Sequence, residues 1–287
     1  MIKKAIIPVA GLGTRFLPLT KTVPKELWPL VDKPVLQYIV EEAYESGIRE
    51  IIFVNKPGNT LVNSYFGEKL KAKKASYSKY KSHFIKDLEK LEKISKNISF
   101  SHVFQKEPLG NSHAVLQAEK LIGKNPCAVL WADDVVESKV PCLKQLIRVF
   151  TKYKKSVIAL YKIPKKSFQF YGMIKGKKIA KRTYRIKDFI EKPKIKESPS
   201  NLAIVGKYII TPQVFEYLRK TSFNLKSDIT LSATLVDMAK DNKDILGYEF
   251  EGKWIECGNK LAYLKSNFYL SLKDPRFGKE LKKFLKK

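Results

Sequence analysis

The sequence predicts an α/β fold: a Rossmann-like, mostly parallel mixed sheet with helices on both faces and a small β-rich subdomain. Three observations carry that expectation. Apolar, β-branched runs alternate with helical patterns through the first half of the chain. Short runs with aromatic alternation replace them from 168 to 210. A glycine-bearing loop directly follows the first apolar run, and ligands of such sheets sit beyond the carboxyl ends of strands.

The elements follow in order. Lys3-Lys-Ala-Ile-Ile-Pro-Val9 has the length and branching of a buried first strand, and further strands are expected at 50–54, 98–104, 127–131 and 156–163. Helical spacing marks 34–46, 59–66, 112–121 and 141–153 between them. The stretch 67–96 breaks the alternation. It is lysine-rich, yet Leu70, Tyr77, Tyr80, Phe84, Leu88 and Leu91 recur near helical spacing. Such an amphipathic helix or helical hairpin either covers a flank of its own molecule or meets another subunit. Beyond the β-rich region, helices are expected at 212–219, 228–240 and 259–272, with a short terminal one around Leu281, Phe284 and Leu285. No internal repeat stands out.

Composition sets the bounds. A chain of 287 residues with 44% hydrophobic content can bury a full core. No apolar run approaches the roughly 18 residues that span a bilayer, so membrane insertion is not expected. Cys127, Cys142 and Cys257 lie far apart without zinc spacing, which suggests neither a disulfide framework nor a zinc site. Nothing marks secretion, and a cytoplasmic location is expected. The formal charge is +28, yet seven of the 56 basic residues are arginines and the rest lysines. Lysine spread along the chain reads as a solvated surface that attracts anionic substrates. Nucleic-acid readers cluster arginine, so no specific nucleic acid is expected.

The most informative segment is Val9-Ala-Gly-Leu-Gly-Thr-Arg-Phe-Leu-Pro18, followed by Pro24-Lys25-Glu26. Gly11 and Gly13 let backbone N–H groups approach phosphate oxygens. Arg15 adds a fork of donors, and Lys25 adds a point charge. Phe16 stands where a dinucleotide fingerprint needs its third glycine, and no P-loop string is nearby. The loop therefore reads as a nucleotide-phosphate site of another kind.

These residues carry a resemblance. The run VAGLGTRFLPLTKTVPKELWPLVDKPVLQYIV resembles the N-terminal signature of bacterial sugar-1-phosphate nucleotidylyltransferases. The likeness recurs at IEKPKIKESPSNLAIVGKYII (190–210) and ECGNKLAYL (256–264), leaving 67–98 and the extreme C-terminus weakly matched. It implies a single nucleotidyltransferase domain over 1–287, with a nucleotide-binding part at 1–165, a sugar-binding part at 166–258 and C-terminal helices at 259–287. It also implies the reaction: UTP and glucose 1-phosphate give UDP-glucose and pyrophosphate, in a Mg2+-dependent homo-oligomer.

Residue by residue, the resemblance makes Lys25 and Arg15 the catalytic cations. Ala10, Gly11, Gly13, Gln105 and Gly110 become nucleotide contacts, and Gly172, Glu191, Lys192 and Val205 sugar-phosphate contacts. Asp133 and Glu256 become metal ligands, with Asp134 a lesser partner. Glutamate stands at 256 where the family usually has aspartate. Its extra methylene moves the carboxylate by about a bond length, which predicts lower turnover or an altered metal preference unless the loop compensates. Gly110-Asn-Ser-His-Ala114 replaces the family's usual Gly-Leu-Gly-His-Ala, and Leu109 stands at a lysine position. His113 is expected to pack or hydrogen-bond at a helix start. A thymidylyltransferase shares the loop, metal site and Glu-Lys-Pro element, although the runs at 200–206 and 257–261 favour the uridylyl branch. A non-catalytic sugar-nucleotide sensor is the reading from another class, supported by Glu256 and the altered stretch 226–233.

Overall fold

The structure, a computed structural model, describes residues 2–67, 82–223 and 229–286. Its first strands are β1 (Lys4–Pro8), the two-residue pair β2 (Pro29–Leu30) and β3 (Lys33–Pro34), β4 (Glu50–Asn55), β5 (Ser99–Phe104) and β6 (Cys127–Leu130). Then come β7 (Asp134–Glu137), β8 (Ser156–Lys162), β9 (Gly172–Ala180), β10 (Thr183–Glu191), β11 (Leu202–Ile210), β12 (Ile245–Glu249) and β13 (Lys253–Glu256). Nine strands form one sheet in the order β5-β4-β1-β6-β11-β8-β12-β10-β9. The first four pair in parallel. β11 enters antiparallel to both β6 and β8. At the far end the β9–β10 hairpin curls back until Met173 pairs with Ala203 of β11.

Helices cover both faces. On one side lie α1 (Val35–Glu45), α2 (Leu61–Gly67), α3 (Ser82–Asn97) and α6 (Cys142–Tyr153). On the other lie α4 (Asn111–Gln117), the short α5 (Glu119–Ile122), α7 (Gln213–Lys220) and α8 (Leu231–Lys240). Strand alternation divides the core accordingly: Ala5 and Ile7 of β1 join the first side, and Ile6 joins the second. The chain ends in α9 (Lys260–Lys273) and α10 (Gly278–Phe284).

Element limits follow the predicted ones to within a few residues, apart from 112–121, which divides into α4 and α5 at Ala118. In α3, Leu91 and Ile94 are buried in the first core, so this part of the basic stretch covers its own molecule. Leu70, Tyr77 and Tyr80 lie outside the described residues.

Candidate active site

Three parallel strands end at one edge of the sheet, and each delivers part of a cavity of about 520 Å³. β1 runs into Ala10, Gly11 and Gly13; β5 leads directly to Gln105; β6 leads through Trp131 to Asp133. Lys25, Glu26, Pro108, Gly110 and Asn111 complete the wall with others. Gly13 has a left-handed backbone (φ +63°), and a β-carbon there would lie 2.9 Å from Thr20 Cγ2. Thr20 Oγ1 closes the turn by donating to the Gly13 carbonyl at 2.8 Å. Phe16 and Trp28 stack edge-to-face at 4.7 Å, anchoring the loop between Arg15 and Lys25.

Lys25 Nζ donates to Asp133 Oδ2 across the cavity floor. Burial works against the Lys25 cation, but Asp133, Glu26 and Asp134 outweigh it and raise its pKa. Burial would likewise raise Asp133, yet the Lys25 charge and hydrogen bond hold it below the usual carboxylate range. The pair is therefore charged throughout the neutral range. Arg15 reaches the Gly258 carbonyl at 3.4 Å, on the Glu256 side of Asp133.

The neighbour of Asp133 has a different task. Asp134 is buried, accepting from Gly206 N at 2.9 Å and from Trp254 Nε1 at 2.7 Å. Burial and the Asp133 charge push its pKa up to about 7, opposed by Lys207 and Trp254. Asp134 thus clamps β11 and β13 to the start of β7. Gly206 is obligatory in that clamp, because a β-carbon would fall 2.1 Å from Trp131 Cδ1. Behind it, fully buried Lys207 pairs with Glu42 at 2.8 Å.

β13 pairs antiparallel with β7, placing Glu256 beside Asp134. Glu256 accepts from Tyr171 Oη and from Asn259 Nδ2. Burial raises its pKa against those two hydrogen bonds. The Glu256 carboxylate therefore has its own supports, and one comes from the residue before β9. A β-carbon on Gly258 would stand 3.3 Å from Asp133 Oδ2 and 3.6 Å from Glu256 Oε1. Both carboxylates consequently face the small gap that this glycine leaves. Among the described residues no cluster of three or more His, Cys, Asp or Glu side chains has a metal-holding arrangement.

The other sequence-derived residues lie apart from the cavity wall. Gly172 and Glu191 are cross-strand partners at the start of β9 and the end of β10. A β-carbon on Gly172 would approach Glu191 Oε2 to 3.0 Å. Glu191 and Lys192 are exposed and pair at 3.3 Å. Val205 is fully buried in the core, so only its main chain can meet a ligand. His113 bridges Gln105 and Gln117, at 3.1 and 3.0 Å, and packs against Phe223. Its burial lowers its pKa. Sequence reasoning did not single out Glu26, Trp131, Trp254 or Gly258, whose value depends on contacts between distant segments. Their one sequence signal was adjacency to Lys25, Asp133 and Glu256.

A glycine loop on a parallel strand end, a Lys–Asp pair in the cavity and a second carboxylate from β13 define an enzyme class that handles nucleotides. Residues 4–271 match the nucleotidyl transferase family, and the chain belongs to it. It is similar to the UTP–glucose-1-phosphate uridylyltransferase of Staphylococcus haemolyticus, at 41% identity over 99% of this chain and 98% of that one. Among solved structures, a UDP-glucose pyrophosphorylase complexed with UDP-glucose matches with a TM-score of 0.85 and 37% identity, covering 96% of this chain and 100% of the other. A UTP-bound UGPase from Acinetobacter baumannii matches with a TM-score of 0.86 and 31% identity, covering 99% of each. No helix among the described residues is long and apolar enough to cross a membrane.

Proposed function

We propose that this chain transfers a uridylyl group from UTP to α-D-glucose 1-phosphate, releasing pyrophosphate and forming UDP-glucose. The observation that carries the proposal is the meeting of loop, amide and ion pair in one cavity. Backbone groups at Ala10, Gly11 and Gly13 receive the nucleotide phosphates, with Lys25 and Arg15 as the neutralising cations. Gln105 Nε2 is already committed to the Gly110 carbonyl at 2.9 Å and to His113. Its Oε1 is left to accept, which suits the N3–H of uracil or thymine and opposes the N3 lone pair of cytosine.

An oxygen of the sugar phosphate attacks the α-phosphorus, and pyrophosphate leaves in line. Lys192 draws in the sugar phosphate, while Glu191 accepts from sugar hydroxyls beside Gly172 and the main chain of Val205. Both reactants are polyanions, so alignment and charge neutralisation supply most of the rate.

The donor set fits Mg2+, which binds through one or two carboxylates plus substrate phosphates. Asp133 and Glu256, converging on the Gly258 gap, would hold it. When bound, it neutralises charge on the phosphate oxygens. The division into a nucleotide part (1–165), a sugar part (166–258) and C-terminal helices (259–287), a cytoplasmic location and homo-oligomeric assembly belong to the same proposal.

The test is pyrophosphate release with magnesium and glucose 1-phosphate, comparing UTP, dTTP, ATP, GTP and CTP. UTP-selective release, lost in Lys25→Ala, is the expected result. A dTTP preference would transfer the reading to a thymidylyltransferase, and a folded protein that binds UDP-glucose without turnover would make it a sensor.

A further inference from the structure

The last helix carries an apolar face that the other described residues leave largely uncovered. Gly278 seats α10 on the end of α9, where a β-carbon would lie 2.4 Å from the Leu272 carbonyl oxygen. The helix is therefore fixed in place, yet Phe284 is 72% exposed, Leu285 52% and Phe277 43%. At about 100° per residue, Phe277, Leu281, Phe284 and Leu285 fall within one arc roughly 100° wide. A surface helix of a globular protein turns such a stripe to the core, and this one faces outward.

The rest of the helix surface is basic. Lys279, Lys282, Lys283 and Lys286 are exposed and occupy the remaining arc, with Glu280 at its border as the single acid of 278–286. Just before the helix, Lys273 is held by Glu137 and Arg276 by Asp32. Among the described residues no carboxylate does the same for the four lysines.

That combination narrows the partner. Protein interfaces favour arginine and deplete lysine, whose ammonium is a point charge without a directional fork. A second copy would set the same lysines against these and pay in like-charge repulsion. An anionic bilayer suits both faces at once. Its headgroups neutralise the ammonium groups without demanding a fixed geometry, and the boundary of its acyl chains accepts aromatic and leucine side chains. The formal charge of +28 draws the whole molecule to the same kind of surface.

We propose that α10 docks this protein on an anionic lipid surface. The helix lies in the interface, with Phe277, Phe284 and Leu285 turned to the acyl boundary and the lysines to the headgroups. One short helix buries few side chains, so the attachment is reversible and salt-sensitive. It does not depend on which nucleotide the cavity takes.

The experiment is co-sedimentation of the full chain with vesicles of phosphatidylcholine, alone or mixed with phosphatidylglycerol. Wild type is expected to bind the mixed vesicles about tenfold more strongly or better, as several lysines at an anionic surface predict. Phe284→Ser with Leu285→Ser, and Lys282→Gln with Lys283→Gln, should each weaken that binding about tenfold. Lys177→Gln with Lys178→Gln removes the same charge from exposed positions of the β9–β10 hairpin and should leave binding within about twofold. An equal loss in this last variant would assign the binding to diffuse charge and overturn the proposal. So would no binding, equal binding to both kinds of vesicle, or a serine pair that binds like wild type. Size-exclusion chromatography should show the same assembly state for wild type and the serine pair. A change there would give the face to a second copy and overturn the proposal as well. If the serine pair fails to fold, the two glutamine pairs decide the matter.

Discussion

The glycine-loop cavity and the β9–β10 hairpin of this molecule are built on opposite plans. Around β1, β5 and β6 the functional groups are wholly or partly buried, paired and held by strands that pair in parallel across the sheet. Around the β9–β10 hairpin, Glu191 and Lys192 are exposed and hold mainly each other. The first region has its electrostatics in place before any ligand arrives, which is what preorganised charge stabilisation requires. The second leaves its charged groups in water, where an ion pair contributes little and is easily exchanged for another partner. Tyr171 joins the two, because it stands at the base of the hairpin and donates to Glu256.

The largest expected effect breaks the preorganised side. Lys25→Ala leaves the half-buried Asp133 without its cation, and kcat should fall about a thousandfold with UTP affinity reduced as well. Steady-state rates and UTP binding check this; a loss below tenfold would mean that the pair is structural.

The cost of that preorganisation is visible in Glu26, whose pKa burial pushes up to about 7 against the nearby Lys25 charge. The unfolded carboxyl ionises near 4.5. Between those pH values the folded state holds the proton more tightly, so this contribution to stability is complete at low pH and is lost as pH rises to about 7. Glu26→Gln has no such titration. Its stability relative to wild type should rise by about 3 kcal/mol between pH 4.5 and pH 8, measured by denaturant unfolding without nucleotide.

Smaller effects are expected on the exposed side. Lys192→Ala should raise KM for glucose 1-phosphate about thirtyfold while leaving UTP binding unchanged, as the loss of one charge-assisted contact predicts. Equal weakening of both substrates would erase the distinction between the two regions. Tyr171→Phe tests the junction. It should weaken the apparent magnesium affinity about tenfold with little change in KM for UTP, because Glu256 loses one of its two supports. Activity across a magnesium titration measures it.

Much of the candidate site was legible in the chain because its signals are local. Gly13 needs a left-handed turn beside Thr20, and Gly11, Arg15 and Lys25 offer donors suited to phosphate within one short segment. Asp133 was legible as an acid just past a buried strand. Val205 shows the limit: its position was correctly placed on a strand, but its side chain belongs to the core. Glu26 was passed over because a glutamate beside a lysine looks like a surface pair, and only burial turns it into a group in need of a donor.

The sequence by itself determined the class of fold, the order of elements and the glycine loop, since hydrophobic period, β-branching and glycine spacing act over a few residues. Tertiary structure alone decided what the acidic residues do. Asp133 and Asp134 are neighbours in the chain, yet one faces Lys25 and the cavity while the other clamps Gly206 and Trp254. That division depends on β11 and β13, more than 60 residues away, arriving beside β6 and β7. Asp133 sits in the turn between β6 and β7 while Asp134 opens β7, so the two acids enter different surroundings, and what each surrounding contains is a property of the packed sheet.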